Sequence, residues 1–289
     1  MINKENRKKI IILKKEFDGL KNEKKALLDL IFEAELPESI YNSNAIENSS
    51  LNLPETEKIL MEMEVSRNIP IREIYEAKNL ARVFEYIKKK LKNLEINNEV
   101  ILFLHNMLIS TINENIAGRY RQKKEFVRVG THIAPAPEKI EKMMKKILLK
   151  YSSAIDTFVV DKIADFHLDF ETIHPFCDGN GRIGRVLINL QLMHTGFPPI
   201  IIRDKKKVDY YKTLKEYQRS GKKIGLDKII LLALLESFHK RIAYLKSKKI
   251  IKLAEYAGKN QETAQSILNK AKRQTIPAFR EKGVWKIGV

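Results

Sequence analysis

The sequence predicts an all-α protein with one short β-hairpin and a small C-terminal module of two helices and a hairpin. Three observations predict it. Apolar residues recur at helical spacing over most of the 289 residues. Glycine and proline, the residues that interrupt helices, number only 12 and 9. Strand-like alternation is confined to one stretch after residue 125 and to the last residues of the chain.

The elements follow in order. Residues 3–35 form a charged amphipathic helical region, expected to break near Pro37. A short segment at 38–48 comes next. Residues 56–64 and 71–94 read as helices, the second with Ile74, Ala77, Leu80, Ala81, Phe84 and Ile87 on one face. Residues 100–112 are another. From Phe126 to Pro137, alternation followed by prolines suits an edge hairpin. Pro137 then opens a helix to about Ser152. Ile163, Phe166, Phe170 and Ile173 place a helix over 161–173, and the apolar run 186–193 places the next. Residues 205–219 and 226–247 complete the helical part. In the tail, a helix from Ile250, a turn at Gly258 and a second helix from Gln261 precede a hairpin around Lys282 and Gly283. The expected division is 1–95, a helical region; 96–245, a core; and 246–289, the tail.

Charge and cysteine narrow the setting. The net charge is +18. Lysine is spread over the whole chain and alternates with glutamate, so basicity alone is weak evidence for nucleic acid. The tail is more polarised, with 11 Lys/Arg against 3 Asp/Glu from residue 246 onward. Cys177 is the single cysteine, which excludes an internal disulfide and fits a reducing, cytoplasmic setting. No apolar run reaches the ~18 residues of a membrane span. The apolar run 10–13 is too short for a signal sequence, so no membrane partner is expected.

Function is concentrated in residues 174–185, His-Pro-Phe-Cys-Asp-Gly-Asn-Gly-Arg-Ile-Gly-Arg, a loop that opens the second of two helices. A helix N-terminus has free N–H groups and partial positive charge, so it attracts anions. Gly179 and Gly181 let the backbone approach a phosphate closely. Arg182 and Arg185 can grip phosphate oxygens. Asp178 can hold a divalent metal, and His174 can take a proton from a hydroxyl. Base, metal ligand and anion cradle together describe phosphoryl or nucleotidyl transfer. No Gly-x-x-x-x-Gly-Lys-Ser/Thr loop is present.

This run resembles the signature of Fic-domain proteins, His-x-Phe-x-Asp/Glu-Gly-Asn-Gly-Arg-x-x-Arg, at every position. The resemblance implies a Fic-type helical core and transfer of AMP from ATP to a Ser, Thr or Tyr hydroxyl of a protein. It implies His174 as general base, Phe176 as anchor of the loop, and Asp178 as the Mg²⁺ ligand. Gly179, Asn180 and Gly181 would cradle the α- and β-phosphates. Arg182 would contact phosphate, Arg185 the γ-phosphate, and Ile183 and Gly184 would complete the nucleotide-binding run. Doc-type kinases of the family carry Lys at the position of Gly181, so nucleotide transfer is the implied reaction.

Three further stretches resemble the same family. Ser43-Asn-Ala-Ile-Glu47-Asn48 is similar to its inhibitory helix motif, Ser/Thr-x-x-x-Glu-Gly/Asn. Glu47, with Ser43, would engage Arg185 and turn the ATP phosphates away from the attacking hydroxyl. Gly118-Arg-Tyr-Arg121 and the hairpin after it look like the flap that clamps a target peptide, with Val129, Gly130, Thr131 and His132 lining the nucleotide. Residues 209–218 resemble the helix bordering adenine, where Tyr210 and Tyr211 would offer an aromatic surface and Gln218 stands where relatives often have Asn. The tail resembles a winged helix-turn-helix, for which DNA binding, protein contact and packing are all open. Rival readings are removal of AMP with Glu47 orienting a water, and a DNA-binding regulator with a vestigial Fic domain. Implied partners are a target protein, the chain itself as target, and a second copy in a homodimer.

Overall fold

The computed structural model describes residues 2–65, 67–130 and 132–289. Helix α1 (Lys4–Lys21) starts at Asn3, whose side chain accepts the Asn6 N–H. Helix α2 (Lys25–Ile46) runs straight through Pro37, so the expected break does not occur. The chain turns earlier, at residues 22–24. An internal proline removes one helical hydrogen bond, but α2 buries Ile31, Pro37, Ile40 and Ile46, and this packing overrides local propensity. Helix α3 (Leu53–Met61) begins in a capping box between Asn52 and Glu55. Helices α4 (Ile71–Lys90) and α5 (Asn98–Ile109) follow.

Strands β1 (Arg128–Val129) and β2 (His132–Ile133) pair antiparallel, with Val129 opposite His132. Then come α6 (Ile140–Ser153), α7 (Val159–Ile173), α8 (Asn180–His194), α9 (Lys207–Ser220) and α10 (Leu226–Leu245). The tail holds β3 (Ile250–Lys252), α11 (Leu253–Lys259), α12 (Ala264–Lys272), β4 (Ala278–Glu281) and β5 (Val284–Gly288). The tail's first helix starts only at Leu253. Ile250 and Ile251 are β-branched and pair with Gly288 and Ile287 in a sheet of order β3-β5-β4.

Two large apolar cores meet on α8. Ile183, Val186, Leu187 and Leu190 face one, shared with α4, α5 and α7. Ile188 and Leu192 face the other, shared with α1, α9 and α10. Residues before 96 contribute to both cores. A helix buried on every side reads as continuously apolar, which is why 186–193 does. A third, small core lies within the tail.

The tail is tied to α2. The N–H groups of Lys282 and Gly283, at the hairpin turn, donate to the two carboxylate oxygens of Glu38 at 3.1 and 3.0 Å. Arg203 bridges Glu38 and Glu236, and Arg280 donates to Glu236 at 2.6 Å. Among the described residues, no helix is long and apolar enough to cross a membrane.

Candidate active site

Helix α7 ends at His174, whose N–H donates to the Phe170 carbonyl at 2.9 Å. His174 has φ 49° and ψ 62°, left-handed values uncommon for a residue with a side chain. Arg121 holds that conformation from a buried position. Its Nε donates to the His174 carbonyl at 2.9 Å and its own N–H to the Pro175 carbonyl at 2.9 Å. Its other nitrogens donate to the carbonyls of Glu125 and Pro135, both at 2.9 Å. One guanidinium thus joins the base of the hairpin to the loop.

The loop is closed by a second set of contacts. The Asn180 side chain accepts the Phe176 N–H at 2.9 Å and donates to the Phe176 carbonyl at 2.8 Å. Phe176 is fully buried and stacks on His105, ring centroids 3.7 Å apart and planes 5° from parallel. His105 Nδ1 accepts the Gly118 N–H at 3.0 Å, which leaves Nε2 to donate to the Asp178 carbonyl at 3.0 Å. Burial holds His105 down at about 4, so it is neutral at pH 7. Gly179 caps α8 with φ 78°, and a Cβ there would sit 3.1 Å from Ile109.

Charge is arranged around this loop. Asp178 Oδ1 accepts the Gly179 N–H at 2.6 Å and Arg182 Nη2 at 3.1 Å, while Oδ2 pairs with Arg72. Burial pushes the Asp178 carboxyl up, but Arg182 and Arg72 outweigh it and hold it below its ordinary value. The His174 ring is pulled down to about 4, mainly by burial and then by Arg121. It is therefore neutral at pH 7 and able to accept a proton. Glu171 lies beneath it, Oε2 3.8 Å from His174 Nδ1, and is pushed up to about 8 by burial and by Glu47.

Arg185, 4% exposed, is engaged by the end of α2. Its Nη2 lies 2.8 Å from Glu47 Oε1 and donates to the Ser43 carbonyl at 2.8 Å, and its Nε donates to Ser43 Oγ at 2.9 Å. Helix α9 fixes this end of α2. Tyr211 donates to the Ile46 carbonyl at 3.0 Å, and Lys207 donates to Asn48 Oδ1 at 2.6 Å. A Cβ on Gly181 would lie 2.1 Å from Glu47 Oε1. The carboxylate therefore rests on the N-terminus of α8, where that helix favours an anion. Glu47, Arg72, His174, Asp178, Gly181 and Arg182 are among the residues lining one open cleft.

Residues 95–192 match the Fic/DOC family. That stretch is similar to a Fic domain. The chain is 36% identical over 182 residues to protein adenylyltransferase Fic of Nematostella vectensis, an alignment covering 61% of this chain and 42% of that protein. The chain thus spans less than half the length of such curated relatives. It superposes on a Fic domain containing signaling protein of Bacteroides thetaiotaomicron with TM-score 0.71 at 26% identity, covering 84% and 98% of the two chains. Fic-1 of C. elegans gives TM-score 0.72 at 27% identity, covering 84% of this chain and 72% of that one.

Within and around the matched stretch, the expected residues divide. His174, Asp178, Gly179, Asn180, Gly181, Arg182 and Glu47 share the cleft. Ile183 is core, and the missing side chain of Gly184 makes room for Glu171 and His167, 2.7 and 2.8 Å from where a Cβ would be. Tyr210 differs from expectation: it is 1% exposed, hydrogen-bonded to His167 at 2.7 Å, with Arg185 6.0 Å from its ring centroid. The second apolar core takes it, so its ring backs Arg185 and offers no face to a base. Tyr211 and Gln218 are half-buried on α9. Val129 and His132 are half-buried, and His132 is pinned to the Thr172 carbonyl at 2.9 Å. Gly130 is exposed at the hairpin turn with φ 58°, and Thr131 lies outside the described residues. Burial raises the Cys177 thiol to about 11, which keeps it protonated and a poor nucleophile at neutral pH.

Four participants escaped the sequence reading: His105, Arg121 as a backbone clamp, Arg72 and Glu171. A lone histidine on an apolar helix carries no local signal. Arg121 stood in a noted motif, but only the fold shows that its target is the backbone of His174.

Proposed function

We propose that this chain is a protein adenylyltransferase that moves AMP from ATP to a Ser, Thr or Tyr hydroxyl of a protein, and that Glu47 holds it in an inhibited state. One observation carries the reading. A neutral His174 stands beside the N-terminus of α8, while the cation one turn further in, Arg185, is already paired with Glu47.

The N–H groups at the start of α8 and Arg182 cradle the phosphates. His174 takes the proton of the incoming hydroxyl, whose oxygen bonds to the α-phosphorus as pyrophosphate leaves. Among the described residues, no group of three His, Cys, Asp or Glu could hold a metal. Asp178 alone suits Mg²⁺, which is commonly bound through one or two carboxylates plus substrate phosphates and would there neutralise phosphate charge. The hairpin edge, with exposed Phe126 and Ile133 beside it, suits capture of an extended target segment by strand addition. Inhibition follows from occupancy: with Glu47 on Arg185, a γ-phosphate loses its partner and the α-phosphate is misaligned. A second reading, removal of AMP, is favoured by the 35% exposure of the Glu47 side chain, which leaves it accessible to water.

The test is incubation with α-labelled ATP, Mg²⁺ and a lysate, comparing Glu47→Gly, in which the inhibition is lifted, with the same chain also carrying His174→Ala. Label on protein should disappear in the double variant while calorimetry still detects nucleotide binding. Equal labelling by both forms would remove His174 from the mechanism.

A further inference from the structure

Both oxygens of Asp178 are already occupied by protein donors. Oδ1 accepts from Gly179 at 2.6 Å and from Arg182 at 3.1 Å, and Oδ2 is taken by Arg72. The four side chains form a ring of alternating charge. Arg72 Nε donates to Glu76 Oε1 at 3.0 Å, and the same oxygen lies 3.0 Å from Arg182 Nη1. The two arginines are not equivalent. The Arg182 side chain is 4% exposed, whereas that of Arg72 is 57% exposed on the first turn of α4. That turn is itself anchored, since the neighbouring Glu73 accepts Ser49 Oγ and the Ser50 N–H, both at 2.8 Å. Motion is therefore left to the Arg72 side chain alone.

We propose that Arg72 is a cationic placeholder on Asp178, which must swing away before a divalent cation carried by a nucleotide can use that carboxylate. This rests on the reading of Asp178 as the cation ligand. The physical basis is competition for one anion. A guanidinium and a divalent cation on the same carboxylate oxygen repel each other and compete for the same space, so the cost of moving Arg72 is subtracted from cation binding. An exposed ion pair is weak enough to be displaced. The higher charge and oxygen preference of Mg²⁺ let it win once phosphates supply its remaining ligands.

The test measures affinity for a non-hydrolysable ATP analogue by calorimetry, once in Mg²⁺ and once in EDTA. The proteins are wild type, Arg72→Ala, Asp178→Asn and the double variant. Arg72→Ala should tighten binding about fivefold or more in Mg²⁺ and leave the EDTA value unchanged. Unchanged affinity in both conditions overturns the placeholder. So does weaker binding in either condition, because Arg72 would then be a phosphate ligand. Asp178→Asn should abolish the advantage of Mg²⁺ over EDTA with or without Arg72. An advantage that survives Asp178→Asn overturns the reading of Asp178 itself, whatever Arg72 does.

Discussion

Helix α2 and its C-cap residue bring three glutamates to buried arginines, Glu35 to Arg241, Glu38 to Arg203 and Glu47 to Arg185, and the last two contacts are built differently. Glu38 and Arg203 are both buried. Glu236 closes the far side of Arg203, and two backbone N–H groups of the C-terminal hairpin complete Glu38. Glu47 and Arg185 meet nine residues further along. There the arginine is buried, but the Glu47 side chain is 35% exposed; each arginine keeps one buried nitrogen without a hydrogen-bond partner among the described residues, Nη1 in Arg185 and Nε in Arg203, so exposure is what separates the two pairs. A fully enclosed pair can only be broken at the cost of a buried unpaired charge. A half-open pair can exchange its carboxylate for another anion. The same helix therefore carries a fastening at Glu38 and a latch at Glu47.

The largest effect should come from breaking the fastening. Glu38→Ala leaves Arg203 buried with one partner fewer and frees the hairpin turn, and removal of one partner of a buried pair costs about 3–5 kcal/mol. Thermal unfolding should show a large fall in Tm. A fall no greater than that of Glu47→Gly would erase the distinction between the two contacts.

Glu47→Gly should do the reverse, with a smaller loss of stability and a gain in function. Initial rates of protein labelling should rise about tenfold for each ~1.4 kcal/mol of misalignment relieved. Arg185→Ala in the same chain should cancel the gain. A rate no higher than wild type would refute inhibition by Glu47. Slower release of AMP from a modified target in Glu47→Gly would instead favour the removal reaction.

The smallest effect is electrostatic. Glu171 is raised to about 8 by burial and by Glu47. A carboxyl raised above its ordinary value in the folded protein stabilises most at low pH. That contribution is lost as pH climbs to and through 8. Between pH 5 and 8, Tm should therefore decline more in wild type than in Glu171→Gln. Parallel profiles would show that Glu171 is not held protonated.

What the sequence disclosed follows the same division. The loop from His174 to Arg185 was legible because its chemistry is contiguous and its helical context is strongly periodic. The Glu47 contact was legible only because Ser43 to Asn48 resembles the family's inhibitory motif beside an intact signature; its spacing alone reads as a solvated helix turn. The fastening was not. Glu38, Arg203, Glu236 and Arg280 are separated by up to 242 positions, and each alone reads as a solvated charge. Pro37 was misread for a related reason: local propensity argued for a break, while packing from distant helices decided otherwise. Strand β3 was hidden because its partner, β5, lies more than thirty residues downstream.

The bare α-carbon of Gly181 sets a limit on how this protein can change. The space a methyl group would need is the space Glu47 fills, and by the proposed mechanism it is also the space a phosphate must enter. A side chain gained there would evict the inhibitor and obstruct the substrate in one step. On the proposed reading, deregulation by mutation is closed at this position and open at Glu47, and restraint and catalysis are inherited together through the smallest residue in the loop.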